Sequence, residues 1–208
     1  MKKTIIIDDR TERMKLHLSS DSISKLEDLV SKGFLKMSDG QSLTKNTLSV
    51  LDDFDLIAVH RSFLTKHTLF IDFVEYVKKS EKRLVVFSGG ITQNSVLLDG
   101  RHLNINSYDF YNEKLVPFVT DFGNESITAA NPLLYFLYGE CWRLTLLLQY
   151  RYLLWEYDDP EEIVINGSKN DIEKEDYLRT TLWADKKYRT LEEVSKEIEF
   201  EKLKIQNL

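Results

Sequence analysis

Cysteine occurs once in this chain, as Cys141, so no disulfide can form within it, and a reducing compartment is the expected setting. A membrane span needs about 20 mostly apolar residues. The greasiest stretch, LLYFLYGECWRLTLLLQY at 133–150, is interrupted by Glu140 and Arg143. The opening MKKTIIIDDR has only three isoleucines before two aspartates, too short an apolar region for a secretory signal. These absences predict a cytoplasmic protein with no membrane partner. A basic tract is missing as well. The 28 Lys and Arg against 34 Asp and Glu leave a formal charge of −6, and residues 105–208 hold 12 of the former against 20 of the latter. That balance removes the usual electrostatic drive for non-specific nucleic-acid binding, so nucleic acid is not an expected partner. His17, His67 and His102 lack closely spaced Cys or His neighbours, which excludes a recognisable zinc set. There is no internal repeat and no low-complexity tract.

What is present is a chain of 208 residues, 42% hydrophobic, long enough for a sizeable core without staples. Thr4–Ile7 is a compact β-branched run that stops at Asp8–Asp9. Residues 12–33 place Met14, Leu18, Ile23, Leu26, Leu29 and Val30 at broadly helical spacing, with Gly33 as a stop. A short strand is expected near 48–50. DLIAVH at 55–60 and RLVVF at 83–87 are further apolar strands, separated by an amphipathic helix over 64–77. A short helix is expected near 91–98 and another strand over 104–111. Short apolar strands alternating with helical spans predict an α/β fold, an open and mainly parallel sheet of five strands with helices on its faces. The polar exits after Ile7, Val59 and Phe87 would then share the carboxyl edge, where such sheets bind ligands.

After Gly123 the rhythm changes. Residues 129–155 predict one long helix, or two broken near Gly139. DDPEE at 158–162 marks a boundary, a strand is expected at 163–165, and helices near 170–183 and 190–202. The expected division is a sheet domain over 1–122 and a mainly helical extension over 123–208.

The motifs IIIDD at 5–9, DLIAVH at 55–60, VVFSG at 85–89 and YNEK at 111–114 give the first 122 residues a pattern that resembles the receiver domain of two-component response regulators. The resemblance implies a five-stranded parallel sheet with magnesium at Asp8 and Asp9. It also implies phosphoryl contacts from Ser88 and Lys114 and an aromatic switch at Tyr111. The family's phosphoryl-accepting aspartate would stand at position 60, where this chain has His60. Imidazole cannot form the acyl phosphate, so the resemblance implies an atypical receiver, not phosphorylated at residue 60. His60 and Tyr111 would then keep regulatory roles. Lys114 is followed by LVPF, where the family usually has proline at once. The function implied is a non-catalytic regulatory or protein-interaction module that requires no cofactor.

Read without the family, two adjacent carboxylates at a strand exit offer hard oxygen ligands to magnesium. Their repulsion would be relieved by a cation, or by Arg10 or Lys114. A solvated strand end is the plain alternative. Ser88–Gly89–Gly90 would expose backbone amides at a turn, either as an anion cradle or simply as a tight turn. It is neither a P-loop nor a G-x-S-x-G elbow. The enzymatic alternative is a magnesium-dependent phosphotransferase or phosphohydrolase, with Asp8 or Asp9 as ligand or nucleophile, Ser88 on phosphate and Lys114 as charge stabiliser. Haloacid-dehalogenase-like phosphatases separate their two aspartates by one residue, unlike Asp8–Asp9. A structural assembly subunit is the third reading. The leucines and aromatics of 133–155 cover too much circumference for one exposed helix face. They predict burial together with a protein interface, anchored at Trp142 and Trp155, to a second copy or another protein.

Overall fold

The computed structural model describes residues 1–10, 12–66, 70–96, 100–127, 129 and 131–207. The chain divides into two compact units, Met1–Leu97 with Arg101–Thr128, and Leu98–Gly100 with Ala129–Leu208. Among the described residues, no helix is long and apolar enough to cross a membrane.

The first unit is built on strands β1 (Thr4–Ile7), β2 (Leu35–Ser38), β3 (Leu56–His60), β4 (Arg83–Ser88), β5 (Ser95–Val96) and β6 (His102–Asn106). They form one six-stranded sheet in the order β2-β1-β3-β4-β6-β5, parallel throughout except for β5. The expected five-stranded sheet is therefore corrected to a mixed, mostly parallel sheet of six. The added strand lies where a short helix was expected near 91–98. Residues 97–99 of that stretch lie outside the described residues. Here local side-chain bonds outcompete helix formation. Asn94 Oδ1 accepts the Asn106 N–H at 2.8 Å, and Asn106 Nδ2 donates to the Ile91 carbonyl at 2.7 Å, stitching the segment to the sheet edge.

The helices of this unit are α1 (Glu12–His17), α2 (Ser20–Ser31), α3 (Arg61–Lys66), α4 (Phe70–Lys79), α5 (Ser107–Phe110) and α6 (Leu115–Gly123). The amphipathic span expected over 64–77 thus becomes two helices, and His67 lies outside the described residues. The strand expected near 48–50 is a 3-10 helix over Lys45–Asp53, and the strand of that region is β2. Leu48, Leu51 and Phe54 recur every third residue, which is the period of a 3-10 turn, and all three are buried. The strand expected over 104–111 stops at Asn106, whose side chain accepts the Tyr108 N–H and so starts α5.

Alternation along the strands sends Ile5, Ile7, Ile57, Val59 and Leu84 to one face, where they pack with Leu48, Leu51, Phe63, Phe73 and Val77. The opposite face carries Phe87, which stacks on Phe110 at 4.1 Å and meets Tyr111 edge-on at 5.2 Å.

The second unit is helical: α7 (Pro132–Tyr138), a 3-10 turn at Gly139–Cys141, α8 (Trp142–Tyr157), α9 (Pro160–Asn166), α10 (Lys169–Leu182) and α11 (Leu191–Gln206). The strand expected at 163–165 is part of α9. Asp159 accepts the Glu161 N–H and Pro160 takes the first turn, so DDPEE is a helix start. α8 is the centre, burying Leu146, Leu147, Tyr150, Leu153 and Leu154. Among its charged contacts, buried Glu175 accepts from Tyr150 Oη at 3.1 Å and from Arg179 Nε at 3.0 Å.

Gly40 in the first unit is required by both backbone conformation and packing. Gly40 has φ of +77°, and a Cβ there would sit 2.3 Å from the Phe63 ring and 2.9 Å from Ile7 Cγ2. Gly40→Ala is expected to lower stability by about 2–4 kcal/mol, left-handed strain adding to overpacking. Chemical denaturation checks this, and an unchanged midpoint would contradict the packing described.

Candidate functional site

The order of strands places a topological switch beside β1. The chain leaves β1 for β2 on one side, then returns to β3 on the other. Loops diverge at the carboxyl ends of such a pair and leave a crevice between them. Asp8 and Asp9 follow β1 directly, and His60 ends β3, so all three stand at that crevice. One ligand atom from each lies within 4.8 Å of the others. Donors held at 2.0–2.6 Å from a single ion lie up to about 5 Å apart, so this spacing suits one divalent cation.

The three are not a solvated strand end. Asp8 is 2% exposed and His60 6%. Asp8 Oδ1 accepts the Arg10 N–H at 3.0 Å and a bond from Arg13 Nη1, and Oδ2 accepts from Tyr111 Oη at 3.0 Å. Asp9 Oδ1 accepts from Arg13 Nη1 at 2.9 Å and from Ser62 Oγ at 2.6 Å. Ser62 Oγ also lies 2.6 Å from His60 Nδ1 and 3.3 Å from Arg13 Nη2. His60 therefore reaches Asp9 through the serine hydroxyl, its own Nδ1 standing 3.9 Å from Asp9 Oδ1. Phe87 packs edge-on against the imidazole at 5.2 Å and keeps water from that side.

Burial, reinforced by the Arg13 charge, holds the His60 pKa below its ordinary 6.5, outweighing the pull of the two aspartates. The imidazole is thus neutral near pH 7, and its Nδ1 is placed to accept the Ser62 N–H at 3.1 Å. Burial and the neighbouring Asp8 push the Tyr111 phenol far above its ordinary value, so it stays protonated and can only donate to Asp8.

Of the residues singled out in the sequence, Asp8, Asp9, His60 and Tyr111 come together. Ser88 and Gly89 end the adjacent strand β4 on the same carboxyl edge, two strands or about 10 Å from β1. Ser88 Oγ accepts the Gly90 N–H at 3.3 Å, and a Cβ built on Gly89 meets nothing within 4 Å. Lys114 is exposed at the start of α6, where its N–H donates to Asn112 Oδ1 at 2.8 Å. In the second unit Trp142 is half-buried and Trp155 is 60% exposed.

Sequence reasoning missed Arg13 and Ser62. Arg13 bonds both aspartates through its guanidinium. A signal existed in its spacing, since it lies four residues after Asp9 at the start of a helix. Ser62 follows His60 by two residues on the β3 exit.

The chain matches no protein-family model, no curated protein and no solved structure. Neither the six-stranded sheet nor the assembled cluster fits an atypical receiver emptied of its chemistry. The expectation that His60 disables the site fails, because His60 is itself the third member of a buried group of potential ligands. The reading as a non-catalytic signalling module that is not an enzyme is overturned by the same cluster.

In EDTA, stability is expected to fall as pH drops below about 6.5, the ordinary histidine value. There the unfolded chain takes up a proton that folded His60 refuses, so unfolding is favoured until pH passes below the folded pKa. An imidazole NMR titration should give a midpoint below 6.5, and a midpoint above it would contradict the environment described.

Proposed function

We propose that the first unit is a divalent-cation-dependent enzyme of phosphoryl transfer or phosphate-ester hydrolysis, centred on Asp8, Asp9 and His60. The observation that carries this reading is the burial of two carboxylates with a neutral imidazole around a common point. Two carboxylates, 2% and 11% exposed, share the Arg13 guanidinium in this poorly solvated crevice. Buried carboxylates are costly unless cations join them. Two carboxylate oxygens and one imidazole nitrogen suit manganese as well as magnesium. The ion, when bound, supplies Lewis-acid stabilisation of phosphoryl oxygens.

The protein's own groups have separable tasks. Asp8 is immobilised by Tyr111, Arg10 and Arg13 and acts as a fixed ligand. Asp9 is less buried, with 11% of its side chain exposed, and faces the substrate side. The Ser62 hydroxyl orients Asp9 and His60 together. The Ser88–Gly89–Gly90 turn has open space above Gly89 and can present the Gly89 amide and the Ser88 hydroxyl to phosphate oxygens. Arg13 supplies the positive charge beside the carboxylates, and Lys114 is left with a role at the rim.

The test is hydrolysis of p-nitrophenyl phosphate and of pyrophosphate with Mn²⁺ or Mg²⁺. Activity should vanish in EDTA and fall at least 100-fold in Asp9→Asn, with calorimetry showing weakened ion binding. Arg13→Ala should lose about 3 kcal/mol of stability in EDTA and regain part of it with millimolar Mn²⁺. A wild-type protein that neither binds these ions nor gains thermal stability from them would overturn the reading.

The second unit carries the candidate for a protein interface. Leu148, Tyr152 and Trp155 are 38%, 62% and 60% exposed and lie four and three residues apart, on one stripe of α8. The Arg151 guanidinium lies 4.9 Å from the Trp155 ring. Trp155→Ala is expected to weaken self-association at least tenfold in sedimentation measurements while leaving the melting temperature unchanged. A chain that is monomeric at every concentration would remove this role.

A further inference from the structure

The crossover from β4 to β6 differs from the others in the sheet. Among the described residues between Ser88 and His102 there is no helix, and the chain makes the edge strand β5 instead. A helical crossover would lie across the strands it joins. Its replacement leaves one face of β4 and β6 open beyond α4, on the side where Leu84 and Val86 join the core. A cavity of about 660 Å³ occupies that place. Its size is in the range of sites that enclose a small organic molecule.

The lining has three chemical parts. Val86 and Leu84 form an apolar floor, and Phe70 and Val74 of α4 form a wall. Phe70 is 53% exposed and presents an aromatic ring to the space. Gln93 and Asn104 bring side-chain amides, and Thr92 and Ser95 bring hydroxyls. Arg61 and Lys78 bring positive charge, and none of the described lining residues is acidic, in a chain of net charge −6. Phe70, Val74 and Lys78 lie four residues apart on one stripe of α4, so the wall runs for about 12 Å. Arg61 opens the helix after β3 and Gly90 lies in the turn after β4, so the cavity's polar end is formed by the loops that follow these strands.

We propose that this cavity binds a nucleoside 5′-phosphate. The base lies between Phe70, Val74 and Val86, the amides of Gln93 and Asn104 meet its edge, and Arg61 holds the phosphate. An apolar slot with an aromatic wall suits a flat ring, amides carry both donors and acceptors for it, and the cationic, acid-free lining suits the anion. Turnover of such a substrate rests on the phosphoryl-transfer reading, whereas binding does not.

The test is calorimetric titration of the full chain, with Mn²⁺ present, using the four ribonucleoside 5′-monophosphates, the four ribonucleosides, ribose 5-phosphate and inorganic phosphate. At least one nucleotide should saturate one site per chain and bind tenfold or more tightly than its two halves. Phe70→Ala and Arg61→Ala remove exposed side chains and should each weaken that nucleotide at least tenfold, with circular dichroism confirming the fold. Absence of saturable nucleotide binding would overturn the proposal. So would ribose 5-phosphate or inorganic phosphate binding as tightly as the nucleotide, or binding indifferent to both substitutions. Asp9→Asn separates the two readings: nucleotide binding retained with hydrolysis lost supports both. Wild-type protein that binds the nucleotide without hydrolysing any phosphate ester supports the cavity and sinks the catalytic assignment.

Discussion

The contact between Asp8 and Arg13 governs the arrangement of the first unit's functional edge. A carboxylate that is 2% exposed must be matched by charge and hydrogen bonds, and Asp8 draws its partners from three places. Arg13 comes from the helix that follows β1, Arg10 supplies a backbone N–H from the intervening turn, and Tyr111 donates from beyond β6. The requirement to satisfy one buried charge thus ties the first strand to the far end of the sheet. Because Arg13 bonds Asp9 and Ser62 as well, the same cation fixes the distance between the exits of β1 and β3.

Shared charge connects this structural role with chemistry. Arg13 is shared between the two carboxylates, and burial holds the His60 pKa below its ordinary value. The crevice gathers two carboxylates and an imidazole at the switch point where an open parallel sheet has room for a ligand. The cavity beside β4 and β6 follows from the same connectivity. Among the described residues the crossover from β4 to β6 forms an edge strand rather than a helix, and partly buried Val86 faces a cavity lined by amides and cations.

Much of the secondary structure was legible from local chemistry. β-Branched runs such as Thr4–Ile7 and Leu56–Val59 have no good alternative to a buried strand, and capping side chains such as Ser168 and Thr190 begin helices wherever they stand. Misreadings arose where a short apolar group suits more than one period. Residues 48–50 read as a strand until the threefold spacing of Leu48, Leu51 and Phe54 is set against a 3-10 turn, and Ile163–Ile165 read as a strand until Asp159 and Pro160 are recognised as a helix start. The likeness to a receiver came from strand order and polar exits. Those features follow from any parallel α/β sheet with a charged carboxyl edge, so they carry little about chemistry.

By itself the sequence determined the strand runs, the helix caps, the polar exits at Asp8, Asp9, His60 and Ser88, and the lack of any apolar segment able to span a membrane. Each of these depends on residues within a few positions of one another. Tertiary structure alone decided that Arg13 and Ser62 complete the cluster, that Tyr111 closes it, that a sixth strand edges the sheet and that a cavity opens beside β4. Asp9 and Ser62 are 53 residues apart and Asp8 and Tyr111 are 103 apart. No local period encodes such meetings, since they arise only when burying the apolar faces brings distant strand ends to one edge and obliges their polar groups to satisfy one another.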